Sequence, residues 1–321
     1  MKRLTALTLA TALGLAACGA SGGATAATVD GQTITVDDVN GMLSLDEGAV
    51  TKTQFAQILG LLVEWSVVEK AAAEELGLMV TDDEITAEAD RIFEEFADEG
   101  QSREDFVATR GFTEAFLQMV GHQEALYRKI HDKFLDEGRG VPSEEEIAEG
   151  MDARRLAMTS ACVSHILLGE LQGLEGDELE SAKEEALAEA EEVLGLLDDG
   201  GDFAEIARER STDTGSGAQG GDLGCQSPQR WVEPFRDAVL EAPVGEVFDE
   251  PVLSDFGYHI IFVSERTVPT DEEVAESLTT DGVRGEIDAW VGEKMAAADV
   301  TVTTRFGTWD STGLQVVPPE A

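Results

Sequence analysis

Apolar positions along the chain change period several times, and each change predicts a different element. Residues Thr28-Val29-Asp30-Gly31-Gln32-Thr33-Ile34-Thr35-Val36 alternate apolar and polar side chains around a glycine. That period of two predicts a short strand or hairpin, followed by a helix capped near Thr35. From Thr51 to Leu76 the spacing becomes helical, with Phe55, Ile58, Leu59, Leu62, Val63, Trp65, Val67 and Val68, and Gly77 supplies a stop. Thr81-Asp82-Asp83-Glu84 has the form of a capping box and predicts a helix to about Asp98. A short helix is expected from Ser102. A long one follows from Thr113 to Leu135, carrying Phe116, Leu117, Val120, Leu126, Tyr127, Ile130 and Phe134. Pro142-Ser143-Glu144-Glu145-Glu146 reads as a linker that starts another capped helix.

The second half mixes the two periods. Ala161 to Leu168 is an apolar run with His165 inside it, and a strand is expected over Cys162–Leu168. Asp177 to Leu197, rich in Ala, Glu and Leu, predicts a helix, and Asp202-Phe203 opens another that ends near Arg210. A loop over Ser211–Gly224, a short helix over Pro234–Leu240, and strands over Pro251–Leu253 and Tyr258–Ser264 follow. Thr270-Asp271-Glu272-Glu273 is a further capped start. Val283 to Ala297 reads as a helix with Ile287, Trp290 and Val291 on its apolar side. Val300 to Thr304 alternates like a strand, and the tail Arg305–Ala321 is expected to be largely extended. The fold class is α+β: a mostly helical domain plus a small antiparallel sheet with flanking helices.

One stretch organises the second half: Gln219-Gly220-Gly221-Asp222-Leu223-Gly224-Cys225. Glycines tolerate φ > 0 and let another backbone come close, so this path delivers Leu223 to a defined place. With the run containing Ser164-His165-Ile166-Leu167-Leu168, the helix Phe203–Arg210, Pro234-Phe235, and Phe256-Gly257-Tyr258-His259-Ile260-Ile261-Phe262, it resembles the parvulin family of peptidyl-prolyl cis-trans isomerases. The resemblance covers about a third of the chain, from Ala161 to Arg266.

The resemblance implies a site. His165 and His259 match the family's paired histidines, and Asp213 falls where the family carries Cys or Asp. Ser254 matches a hydroxyl-bearing position, and Leu223, Trp231 and Phe235 match the pocket for the proline ring. Bland readings stand beside these: satisfied structural histidines, Asp213 as a turn cap with Thr214, Phe235 as plain core. Trp231 stands where a smaller apolar residue is common, and Val232 and Phe256 replace polar residues. No basic cluster lies near the site, which argues against selectivity for phosphorylated Ser/Thr–Pro. Isomerisation requires no metal and no cofactor. His122 and His131 sit nine apart on the long helix, and two histidines alone make a poor metal site. Gly215-Ser216-Gly217-Ala218-Gln219-Gly220 matches G-x-G-x-x-G literally, but it follows a helix and lacks the strand a dinucleotide site needs.

The helices before Ala161 resemble the N-terminal domain of SurA-type and PrsA-type extracytoplasmic foldases. That resemblance implies that the chain after the isomerase domain returns to the helical domain, with Trp290 as an anchor. The N-terminus is a processing signal: Lys2 and Arg3, an apolar run, then Leu15-Ala16-Ala17-Cys18. This tetrad resembles a bacterial lipobox, implying cleavage before Cys18 and lipid on its sulfur; an ordinary signal peptide is the other reading. The expected organisation is a signal over residues 1–17, a tether over 18–27, a helical chaperone domain over 28–158, the parvulin-like domain over 159–266, and a returning helix and tail over 267–321. Cys162 and Cys225 remain. An extracytoplasmic location permits a disulfide between them, and two buried thiols are the alternative.

A formal net charge of −44 argues against nucleic acid and anionic lipid head groups as partners, because phosphate contacts need Lys and Arg. The expected partners are unfolded or partly folded secreted polypeptides with X–Pro bonds, and a membrane reached through the lipid anchor. The leading expectation is a membrane-anchored extracytoplasmic isomerase and chaperone. The rival is a holdase whose isomerase domain has lost useful turnover. A solute-binding lipoprotein would need a two-lobed α/β pattern, which the sequence lacks.

Overall fold

The computed structural model describes residues 23–44 and 50–319. The expected signal segment and the expected lipidation site at Cys18 lie outside them. In chain order the elements are β1 (Thr25–Val29), β2 (Gln32–Thr35), α1 (Val36–Gly41), α2 (Lys52–Ala71), α3 (Asp82–Phe96), α4 (Arg103–Ala108), α5 (Glu114–Asp136) and α6 (Glu144–Met158). They continue with β3 (Ser160–Leu168), α7 (Gly176–Asp198), α8 (Phe203–Arg210), α9 (Thr214–Gly217), β4 (Asp222–Gln226), α10 (Glu233–Glu241), β5 (Val252–Leu253) and β6 (Tyr258–Thr267). The chain closes with α11 (Asp271–Ala297), β7 (Val300–Val302), β8 (Thr308–Asp310) and β9 (Gln315–Val317). Contacts divide it into two compact units: Met1–Val141 with Gly282–Ala321, and Pro142–Asp281. Among the described residues no helix is long and apolar enough to cross a membrane.

In the first unit β1 and β2 form the expected hairpin, turning on Asp30-Gly31 with both φ values positive, at 50° and 83°. That is the backbone a two-residue hairpin turn demands. The strand begins inside the expected tether because Ala26 and Ala27 are fully buried in the core. Thr35 caps α1 through a capping box with Asp38, and Thr51 and Thr81 cap α2 and α3 in the same way. α2 ends in a π-helical turn over Ala72–Leu76, stopped by left-handed Gly77.

The end of the chain belongs to this unit. β7 pairs with β1, giving the order β2-β1-β7. Trp290 is buried edge-on to Phe134, ring centroids 6.0 Å apart, in a cluster with Trp65, Val68, Leu126 and Ile130. Arg139 lies over the same Phe134 ring at 3.5 Å and pairs with Glu286. The tail is a β8–β9 hairpin rather than an extended segment, because Val316 buries itself in the core beside Trp309 and Leu314.

The second unit differs from the expected boundaries at both ends. α6 belongs to it because Arg154 bonds Ser277 and Asp281, and Arg155 bonds Asp271 and the Pro269 carbonyl. α11 is one continuous helix, so the capped start at Thr270 and the helix expected from Val283 are the same element. The sheet is antiparallel, in the order β4-β3-β6-β5. Ile166, Leu168 and Ile260 face α7 and α8, packing on Ala190, Val193 and Ala207. Ala161, Val163, Ile261 and Val263 face the other way, onto Phe235, Ala238 and Val239 of α10. Both faces of β3 are covered, which is why its sequence reads as a nearly unbroken apolar run.

Phe134→Ala should lower the stability of the first unit by about 3–5 kcal/mol, because it leaves a cavity under Trp290 and Arg139. Denaturant unfolding should show an earlier midpoint with an unchanged slope; an unchanged midpoint would remove Phe134 from the centre of this core.

Candidate active site

Side chains two apart on a strand share a face. His165 therefore lies on the same face of β3 as Ala161 and Val163, and His259 on the same face of β6 as Ile261 and Val263. The register pairs His165 with Ile261 and Leu167 with His259, so the two histidines are diagonal neighbours. Both are buried. Their Nδ1 atoms lie 3.0 Å apart, and the Phe235 ring meets both edge-on, at 5.6 Å from His165 and 4.9 Å from His259.

Each end of the pair reaches an oxygen. His165 Nε2 lies 3.0 Å from Asp213 Oδ2, and His259 Nε2 lies 2.7 Å from Ser254 Oγ. Asp213 is delivered by the loop after α8. There Leu167 N–H donates to Ser211 Oγ, and Thr212 N–H donates to the Leu167 carbonyl at 2.8 Å. Asp213 is also the cap of α9, accepting from the Gly215 and Ser216 N–H groups, so capping and histidine contact coexist in one carboxylate.

The proton positions follow from the ends. The Ser216 hydroxyl, then His165 and the two backbone N–H groups, hold the Asp213 carboxyl down at about 2, so it is ionised and can only accept. His165 Nε2 must therefore carry hydrogen, which leaves its Nδ1 as an acceptor. His259 Nδ1–H donates to that atom, and the Ser254 hydroxyl donates to His259 Nε2. The result is one directed chain: Ser254 to His259 to His165 to Asp213. Neither imidazole is charged at neutral pH. Burial lowers His165, and burial followed by the adjacent His165 lowers His259 to about 3.

The apolar wall joins this chain on one side. Leu223 and Trp231 pack on the cluster that contains Phe235, with the Trp231 and Phe235 rings 5.4 Å apart. Gly221 makes the placement of Leu223 possible: its φ is +83°, and a Cβ there would sit 2.3 Å from the His165 carbonyl oxygen. An open cleft of about 570 Å³ lies beside Ser254, lined in part by Leu171, Leu174, Leu179, Val232 and Leu253.

All seven residues expected in the site thus come together in the second unit. Cys162 and Cys225 form a disulfide. Two features were missed. Ser216 Oγ donates to Asp213 Oδ2 at 2.5 Å and lies 3.0 Å from His165 Nε2; the cap spacing from Asp213 to Ser216 was its signal. The loop expected over Ser211–Gly224 runs instead into β4, because its glycines hide a strand that exists only by pairing with β3. The glycine run 215–220 forms α9 and the turn after it. His122 and His131 lie in the first unit, where His122 stands edge-on to Trp65 at 4.5 Å.

A family model described as the PPIC-type PPIASE domain matches residues 150–267. The foldase protein PrsA of Exiguobacterium sibiricum is 31% identical over 207 residues, covering 64% of this chain and 59% of that protein. PrsA of Oceanobacillus iheyensis is 30% identical over 255 residues, covering 76% of this chain and 75% of that protein. The chaperone SurA of Chromohalobacter salexigens is 33% identical over 151 residues, covering 45% and 33%. The matched region thus spans less than two thirds of the first of these relatives and three quarters of the second. The isomerase-domain match falls within the unit that holds the histidine pair and the relationship to PrsA runs well beyond it, so the chain belongs to the PrsA foldase family and carries a parvulin-type peptidyl-prolyl isomerase domain.

Proposed function

We propose that this protein is an extracytoplasmic foldase that speeds cis-trans exchange at X–Pro bonds in unfolded or partly folded secreted polypeptides, held at a membrane by lipid on Cys18. The observation that carries the catalytic reading is the hydrogen-bonded row Ser254–His259–His165–Asp213, lying against the apolar wall of Phe235. Rotation is opposed by amide resonance, a barrier of about 18–20 kcal/mol for a peptide bond. Resonance places negative charge on the carbonyl oxygen of the planar amide, and twisting withdraws it. An ionised Asp213 close to that oxygen disfavours the planar state more than the twisted one, which is the differential effect catalysis requires. Leu223, Trp231 and Phe235 hold the proline ring while the other half of the bond turns. His165 and His259 hold Asp213 and Ser254 in register; being neutral, they do not cancel the carboxylate charge.

Holdase action with little turnover is the second reading. It is favoured by Trp231, a bulky indole that lies edge-on to Phe235 where the family commonly carries a smaller apolar residue. Exchange NMR on an Ala-Pro peptide separates the two readings. The wild-type protein should accelerate exchange, and a folded Leu223→Ala/Phe235→Ala variant should lose about 10-fold or more of kcat/KM. Exchange at the uncatalysed rate with folded wild-type protein would sink the isomerase reading.

Acid should weaken the site in a defined window. Because His259 falls from 6.5 to about 3 on folding, the unfolded chain binds a proton between those pH values that the folded site refuses. Stability is then full above pH 6.5 and falls as the pH drops towards 3. The Asp213 contribution is lost lower, as pH falls from 3.8 through about 2. Denaturant titrations of wild type and His259→Asn should diverge between pH 7 and pH 4, with the wild type losing more; parallel curves would place the acid sensitivity elsewhere. For the anchor, Cys18→Ala should move the protein from the membrane fraction to the soluble fraction of its cells, and an unchanged distribution would remove lipid on Cys18 from the proposal.

A further inference from the structure

We propose that the Cys162–Cys225 disulfide is a positioning element of the proline pocket, holding Leu223 in place so that substrate binds tightly only while the bond is closed. The inference rests on the isomerase reading above. β4 is an edge strand and pairs with β3 alone. Its ladder runs Ala161 to Gln226, Cys162 to Cys225, then Ser164 to Asp222. One residue of β3, Val163, therefore stands opposite two of β4, Leu223 and Gly224, which makes a β-bulge. Gly224 has φ +69°, the left-handed conformation that such a bulge uses.

A bulge interrupts the ladder at the residue the pocket needs. Leu223 is fixed instead from its two sides. On one side the His165 N–H donates to the Gly221 carbonyl at 2.9 Å. On the other, two residues beyond Leu223, stands the sulfur bridge. With the bridge open, the far side is held by cross-strand hydrogen bonds at the end of a five-residue edge strand and, just beyond it, by Ser227 Oγ donating to the Leu156 carbonyl. Short edge elements are where local opening costs least. Leu223 lies half-buried on the Phe235 cluster, so movement of β4 withdraws one wall of the ring pocket while His165, His259 and Asp213 keep their own contacts.

The bond is reachable. Cys225 is exposed and Cys162 half-buried. A dithiol such as dithiothreitol supplies two electrons and two protons, closes its own cyclic disulfide, and leaves Cys162 and Cys225 as thiols.

The test compares oxidised protein, dithiothreitol-reduced protein and a Cys162→Ser/Cys225→Ser variant, each checked for folding by circular dichroism. Exchange NMR with an Ala-Pro peptide should show KM raised about 3- to 10-fold in the reduced and serine forms, with kcat within about twofold. Dithiothreitol should leave the serine variant unaffected, and reoxidation should restore the wild type. Amide hydrogen exchange should speed at Leu223 and Gly224 by about 10-fold on reduction, with β6 unchanged. Equal KM and equal exchange in folded reduced and oxidised protein would overturn the proposal. If the oxidised protein does not catalyse at all, the isomerase reading fails by itself, and hydrogen exchange at Leu223 still decides whether the bridge positions this strand.

Discussion

Two imidazoles buried side by side in an apolar sheet set the terms for everything around them. Unpaired polar groups in such a place cost about 1–3 kcal/mol each, and charged ones cost more. The pair at 3.0 Å meets this constraint by staying neutral and passing a single hydrogen-bond direction through both rings. That in turn needs a hydroxyl at one end and an ionised carboxylate at the other. Ser254 and Asp213 occupy those ends, and the loops that carry them are shaped to do so: Ser254 N–H donates to the Gly257 carbonyl, and Ser211 and Thr212 are bonded to β3. Remove the carboxylate and the direction of the chain is no longer specified.

The same pair links polar chemistry to apolar recognition. Phe235 packs edge-on to both histidine rings, so the helix that buries the sheet also lays down the floor of the proposed proline pocket. Leu223 arrives from the opposite edge, on a strand that has to pass close to the His165 carbonyl and can do so only through Gly221. A burial requirement, a hydrogen-bond requirement and a steric requirement therefore meet within a few residues of one another. For that reason the site contains no long flexible side chain among its central members.

Much of this was legible in residue order. The capped starts near Thr35, Thr81 and Ser143 and the apolar spacing from Thr51 mark helix starts that the structure reproduces. The histidine runs, the glycine path to Leu223 and Pro234-Phe235 pointed to the site members that the fold brings together. Misreadings share one cause. β4, the tail hairpin and the early start of β1 are short, glycine-rich or small-residue segments with little periodicity of their own. They are strands because a distant partner is there: β3 for β4, and buried positions beside α2 and β7 for the others.

What the sequence by itself determined was therefore local and compositional: helix limits, the strand character of the two histidine runs, the strong negative charge, and the family resemblance of the motif series. These depend on neighbours within about four residues or on side-chain identity. What only the tertiary structure decided was pairing. The order β4-β3-β6-β5, the grouping of α6 with the start of α11, the closure of Cys162 on Cys225 and the entry of Ser216 into the Asp213 contacts each join residues through space. No local pattern encodes such contacts, because their energy comes from desolvating two surfaces together, and each surface alone is equally compatible with other partners.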